Sequence, residues 1–293
     1  MMKSNLSGQR TILTLFTLLA FAWAGGAADV TESRKPEVRI AAASSTVLLG
    51  EPVVVTLTVR NVSAADIDVA VHQDIRTSLP YFTIKSSEGS AQRFVPVSQA
   101  MAGGRRKVTL PPGQALTGTH LLVFGRDGFA FPKSGEYELT AGYEELTSNT
   151  ISLHVLDPAG ENALALPLVM DQEKGLALVG ASNAPAALES LEKLIASHPT
   201  TVYAPFAACA LAQRALSYSQ YDEATTRFEW LLANAPAFPL MADVRLSLAQ
   251  AYHGKGNVEK ASEQIAAVIA SSPNTTTARE AQRLQQEWAK PSE

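Results

Sequence analysis

The stretch LAQAYHGKGNVEKASEQI, Leu248–Ile265, decides how the second half of this chain folds. Apolar residues recur at three- and four-residue spacing on both sides of Gly256-Asn257, which predicts two helices joined by a tight turn. Ala249 and Ala261 are small where two such helices cross at close range. Gly256 can take the left-handed conformation that stops the first helix. Pro273 cannot extend the second.

Upstream, the same unit recurs. Ala187, Ala224 and Ala261 follow one another in steps of about 37 residues, as repeat arrays require. The same step links Leu191, Phe228 and Ile265, then Leu194, Leu231 and Val268, then Pro199, Pro236 and Pro273. The middle unit keeps Leu211-Ala212 but has Ala215 where the last has Tyr252. The first unit is degenerate in its leading helix, with Gly175 and Leu178 at the matching places; its second helix, Pro185 to Ser197, is well patterned. Beyond the last unit, Ala278, Ala281, Leu284 and Trp288 stand at helical spacing and predict a capping helix over the open end.

These residues resemble the tetratricopeptide pattern. The family's usual period is about 34, so the extra residues here fall between hairpins. That longer form is similar to tetratricopeptide proteins of the bacterial cell envelope. The resemblance implies an α-α superhelix over 168–274, followed by a capping helix and tail over 275–293. It also implies a concave groove lined by first-helix side chains: Phe206, Cys209, Gln213, Leu216, Asp243, Leu246, Gln250 and His253. The Lys, Arg and Asn of the family's carboxylate clamp are missing there, so acidic C-terminal tails are not the expected ligand. An apolar to mildly polar groove suits a helix or an extended peptide. The competing reading is that several of these side chains only pack against a neighbouring element.

From Val38 to Leu156 the periodicity changes to two. Val53–Arg60 is rich in β-branched residues, and further alternating runs stand at Asp66–Val71, Tyr81–Lys85, Arg93–Val95, Lys107–Leu110, Thr117–Phe124, Tyr137–Ala141 and Ile151–Val155. Short strands separated by Gly/Pro turns predict an antiparallel β-sandwich over 30–157. Leu49-Gly-Glu-Pro-Val53, Leu110-Pro-Pro-Gly113 and Ser134-Gly-Glu-Tyr137 resemble bacterial immunoglobulin-like sandwich domains. That resemblance implies a tyrosine corner at Tyr137. Asp157-Pro158 ends the last strand, and 158–167 reads as a linker. The fold class is therefore multidomain, β plus α.

At the N-terminus, Lys3 and Arg10 precede an uncharged apolar run from Ile12 to Trp23, and Ala22-Trp23-Ala24 gives a small-x-small cleavage pattern. This predicts a secretory signal peptide over 1–24 and an exported protein, periplasmic or extracellular. The run is shorter than the ~20 residues of a membrane-spanning helix, and no later segment is long and apolar enough to span. The net charge of −4 over 293 residues gives no reason to expect a nucleic-acid partner. The cluster Arg105, Arg106, Lys107 reads as a solvated loop. Cys209 is the only cysteine, so no intrachain disulfide forms, and its helical context makes it a small buried apolar residue.

Catalytic constellations are missing from the sequence. No two of His72, His120, His154, His198 and His253 stand at a helical metal spacing, and no HExxH, GxSxG or P-loop pattern occurs. Asp66-x-Asp68 lacks the Gly and distal Glu of a calcium loop. Gly125–Gly128 reads as a hairpin turn. Glu144 and Glu145 are expected on a strand, pointing to opposite faces. No catalytic, cofactor-binding or metal residue is assigned. The expected function is a non-enzymatic protein-binding or scaffolding module with a protein or peptide partner. Two alternatives remain: a glycan- or polymer-binding protein acting through Tyr81, Phe82, Phe94 or Phe129 of the sandwich, and an unrecognised hydrolase.

Overall fold

Period-two and period-3.6 patterning meet in one chain, and the structure keeps them apart in sequence but not in space. It is a computed structural model, and it describes residues 36–70, 80–97 and 107–290. Residues 1–24, read as a signal peptide, and His72, Arg105 and Arg106 lie outside the described residues. In chain order the strands are β1 (Glu37–Ala42), β2 (Thr46–Leu48), β3 (Val53–Arg60), β4 (Ile67–Ala70), β5 (Tyr81–Ser86), β6 (Gln92–Phe94), β7 (Lys107–Leu110), β8 (Ala115–Leu122), β9 (Phe124–Gly125), β10 (Gly128–Phe129), β11 (Gly135–Tyr143), β12 (Leu146–Thr147) and β13 (Ile151–Leu156). The helices follow as α1 (Glu161–Ala165), α2 (Gln172–Leu178), α3 (Pro185–Ser197), α4 (Ala204–Ser217), α5 (Tyr221–Asn234), α6 (Met241–Gly254), α7 (Val258–Ser271) and α8 (Thr276–Trp288).

Two larger sheets enclose the β core, to which the β4-β7 pair adds Val69 and Leu110. One runs β1-β3-β8 and the other β2-β13-β11-β5-β6. Val55, Leu57 and Val59 of β3 point inward to meet Phe82, Leu139 and Leu153 of the facing sheet. The pairing is antiparallel except for β2, which lies parallel to β13, so the sandwich is not antiparallel throughout as expected. The chain crosses between sheets after β1, and β2 then joins the far sheet alongside the last strand. Tyr137 donates from its hydroxyl to the Lys133 carbonyl at 2.8 Å, four residues upstream, as a tyrosine corner requires. Glu144 and Glu145 are not on a strand. They form the two-residue turn between β11 and β12, with Glu144 at φ 53, because Tyr143 and Leu146 already pair and the chain must reverse between them.

The repeat register holds. Ala187, Ala224 and Ala261 are buried, as are Leu191, Phe228, Ile265, Leu194, Leu231 and Val268. They lie on α3, α5 and α7, which pack against α2, α4 and α6. The turn after α6 is a Schellman motif, in which Gly256 at φ 76 lets Asn257 N donate to Tyr252 O at 2.9 Å and its own N donate to His253 O at 2.9 Å. Ser219, in the equivalent place after α4, adopts φ 59 with the same two bonds, to Ala215 O and Leu216 O. The last helix ends the stack. Thr277, Ala278, Ala281 and Leu284 face inward, while Gln282, Gln285 and Gln286 are exposed on its other side. Its N-terminus is capped by the Thr275 hydroxyl, which accepts from Ala278 N at 3.1 Å.

The segment expected to be a linker is instead ordered and packed. It contains α1 and a 3-10 turn at Leu166–Leu168, and Ala165 and Val169 are completely buried. The cause is close approach. Gly50 of the β2–β3 turn has φ 82, and a Cβ there would lie 2.8 Å from Leu166 Cδ1. Ala165 and Leu166 thus supply side chains for a surface that sequence reading could not place, while Leu164 stays exposed.

Both ends of the helical stack touch the β half. At the first end, Phe124 packs on Gly175 of α2, where a Cβ would come within 2.3 Å of the ring, and Phe129 meets Phe124 edge-on at 5.0 Å. Val54, on the outer face of β3, and Val123 join the same buried cluster as the helices. Tyr203, which precedes α4, donates its hydroxyl to Leu49 O at 2.8 Å. At the other end, Thr117 N on β8 donates to Asn274 O at 3.0 Å, and Thr117 pairs as a parallel bridge with Thr275. Thr117 to Phe124 spans roughly 23 Å at about 3.3 Å per residue. The four first helices α2, α4, α6 and α8 lie side by side over a comparable width, about 9 Å per step. β8 therefore meets the last helix, and the chain that continues from it into β9 meets the first.

Candidate functional site

The groove positions lie on α4 and α6, and the structure divides them along the helix axes. Near the N-terminal ends, next to the inter-hairpin loops, they are closed. Phe206 is buried and meets Phe238 of the loop before α6 edge-on, with ring centroids 4.9 Å apart. The Asp243 carboxylate accepts from the Thr277 hydroxyl of α8 at 2.6 Å, and burial pushes its pKa above the ordinary carboxylate value. Burial likewise pushes the Cys209 thiol up to about 12, with the Asp243 charge adding to the rise, which favours the protonated thiol at neutral pH. Leu246 packs against the cluster of Ala249, Ile265, Val268, Ala281 and Leu284.

Toward the C-terminal ends the side chains are open. Gln213 is exposed and donates from Nε2 to Ser247 Oγ at 2.7 Å, joining α4 to α6. Leu216, Gln250 and His253 are half-buried. The His253 ring stacks on Trp288 of α8, centroids 4.1 Å apart and planes 9° apart. Spacing placed the groove positions on one face of α4 and α6, but gave no sign that Ser247, Thr277 and Trp288 would hold three of them. Those partners come from the next helix over, so only the superhelix decides the pairing.

The open part offers amides at Gln213 and Gln250, an apolar wall at Leu216 and a ring edge at His253. That set can bond a peptide backbone and take an apolar side chain. It carries no Lys or Arg, so nothing there selects a carboxylate. A second depression of about 460 Å³ lies between α3 and α5, floored by Ile195, Ala208 and Trp230. Arg227 on its rim is held by Glu192 at 2.5 Å and Glu223 at 2.9 Å.

The aromatic residues of the sandwich are engaged elsewhere. Phe82 and Phe94 are buried in the sandwich core, and Phe129 packs on Phe124 at the junction. Tyr81 is half-buried, its ring set against Gly142 and overlain by the Arg93 guanidinium at 4.2 Å. His120, between the sheets and 5.2 Å from the Phe82 ring, has its pKa lowered by burial to about 4. His154 pairs with Glu136 at 2.5 Å and His198 with Glu161 at 2.9 Å. Among the described residues no group of three or more His, Cys, Asp or Glu could hold a metal ion, and no helix is long and apolar enough to cross a membrane.

Residues 169–281 match the model of a family described as tetratricopeptide repeat-like domain. The helical half carries a tetratricopeptide-like domain. No curated protein matches the chain. Among solved structures, a β-glucosidase from Erythrobacter marinus is 18% identical over 41% of this chain and 16% of its own, with a TM-score of 0.28. The chain thus spans about a sixth of that enzyme. The CARDB domain of a Pyrococcus furiosus protein, in complex with di-metal ions, is 11% identical over 42% of this chain and 94% of its own, with a TM-score of 0.26. Spo0M, a sporulation control protein from Bacillus subtilis, is 11% identical over 46% of this chain and 54% of its own, with a TM-score of 0.25. Likenesses this slight carry no argument about activity.

Proposed function

We propose that this protein is an exported, non-enzymatic module that binds a protein or peptide partner through the open part of its tetratricopeptide-like groove. The observation that carries this reading is the division of the groove. Gln213, Leu216, Gln250 and His253 keep accessible surface while Phe206 and Asp243 are occupied by the protein itself. A groove with amides and one apolar wall suits an extended or helical peptide recognised mainly through its backbone. The basic and apolar pattern of residues 3–24 supports export to the periplasm or beyond, as part of a bacterial cell envelope. The strand order β1-β3-β8 facing β2-β13-β11-β5-β6, with the Tyr137 corner, supports an immunoglobulin-like sandwich whose role is to carry and cap the stack.

Site-specific photo-crosslinking tests the groove. A photoreactive phenylalanine at Gln213 or Gln250 is expected to trap one discrete polypeptide in the producing cell's envelope fraction. The same probe at Thr226, on the opposite side of the stack, is not. Equal trapping at all three positions, or none at any, overturns the reading. Cell fractionation checks export, with the mature chain lacking residues 1–24 expected outside the cytoplasm.

A further inference from the structure

We infer that the edge of β8 is a brace that presets the groove, by fixing α8 and through it the groove side chains of α6. The chain of contacts is continuous. Thr117 N on β8 donates to Asn274 O at 3.0 Å, and Thr117 pairs with Thr275. Asn274 is held at φ 63 and Thr275 caps α8, so this one short segment sets where α8 begins. A Cβ on Gly118 of β8 would stand 3.7 Å from Thr276 Cγ2, so strand and helix start are in close approach. From there α8 reaches the groove twice. Thr277 donates to Asp243 at 2.6 Å, and Trp288 stacks on His253 at 4.1 Å. The two contacts lie at opposite ends of α8, so they fix both its position and its direction against α6.

The brace has a physical rationale. A terminal helix of a repeat stack has a neighbour on one side only and opens at lower free energy than the interior. Here the exposed side of α8 is polar. Pairing its entry segment with the sheet edge at Thr117 steadies it. The first end of the stack is held to the β half by Phe124 of β9 and by the Tyr203 bond to Leu49 in the β2–β3 turn. With both ends fixed on the β half, the curvature of the stack between them is set there. This inference rests on the groove reading for its consequence, but its geometry stands without a ligand.

Thr117→Pro tests it, because that amide hydrogen is given to Asn274 and not to β3, and proline is tolerated on the outer side of an edge strand. Thr117→Val is the control. It keeps the amide while losing the hydroxyl that contacts Thr58 at 2.9 Å. In Thr117→Pro, amide hydrogen exchange across residues 276–288 is expected to quicken about tenfold over Thr117→Val, with α5 unchanged. The His253 ring-proton shifts should move toward those of an unstacked imidazole. Equal exchange and equal shifts in the two variants overturn the brace. Should Thr117→Pro fail to fold, Thr117→Cys with Thr275→Cys in a Cys209→Ala background decides. The oxidised form is expected to protect α8 more than the reduced form, and identical protection overturns the inference. Both readouts use the protein alone, so a failure to trap a partner at Gln213 or Gln250 counts against the groove reading and not against the brace.

Discussion

The two ends of the helical stack solve the same problem differently. The last hairpin is closed by α8, a helix with an apolar inner stripe and a polar outer face, built from the chain's own next residues. The first hairpin has only the short α2, and its exposed side is covered by Phe124, Phe129 and Val54 of the β half. Gly175 is the mark of that difference. A side chain there would occupy the space of the Phe124 ring, so the leading helix is degenerate because another element sits where its own packing would be. A repeat array need not carry two dedicated caps when a preceding domain can serve as one.

Phe124→Ala removes the borrowed cap's largest side chain and should show the largest effect, a loss of about 4 kcal/mol, because a buried aromatic leaves a cavity that the junction cannot close. Denaturant unfolding should also cease to be one transition, with helical and sheet signals separating. Coincident transitions in the variant would mean that the halves are coupled elsewhere. His120 separates the halves by pH. Its folded pKa of about 4 lies below its ordinary 6.5, so the unfolded chain binds the proton first and stability falls as pH drops through that window, by about 3 kcal/mol at most. His120→Leu should flatten this part of the pH profile. The raised pKa values of Asp243 and Glu51 act with the opposite sign, favouring the folded state as those groups protonate. The wild-type minus variant difference isolates the histidine.

Leu284→Ala weakens the built cap and should cost about 2 kcal/mol, the low end for a buried leucine because one flank of α8 faces solvent. Hydrogen exchange should show the loss confined to α7 and α8, in contrast to the global effect at Phe124. The smallest effect is expected for Tyr203→Phe, which keeps the ring and deletes one hydrogen bond to Leu49 O, for about 1 kcal/mol by thermal or denaturant unfolding. A much larger loss would show that the stack depends on that single tie more than on the apolar junction.

Much of the fold was legible because periodicity reports directly on which face of an element is apolar. Ala187, Leu191 and Leu194, with their equivalents two repeats on, are all buried. Val55, Leu57 and Val59 alternate into the sandwich as read. The segment at 158–167 was misread because its Asp-Pro-Ala-Gly start signals a break, while Ala165 is buried in a cluster whose members lie far away in sequence. Glu144-Glu145 was misplaced because a two-residue turn without glycine looks like strand. The groove was half legible. Helical spacing placed Gln213 and Gln250 on one face, but it could not show that Phe238 and Thr277 would cover Phe206 and Asp243.

The sequence by itself determined the hairpins, their step and the residues longer than the usual repeat, because each depends on neighbours within a few turns. The tertiary structure decided what those extra residues do. Two of the loops they lengthen carry Tyr203 to Leu49 and Asn274 to Thr117, fastening the stack to the β half at both ends. Local patterning says that a surface is apolar or an amide is unpaired. What covers that surface is set only when the whole chain has closed on itself.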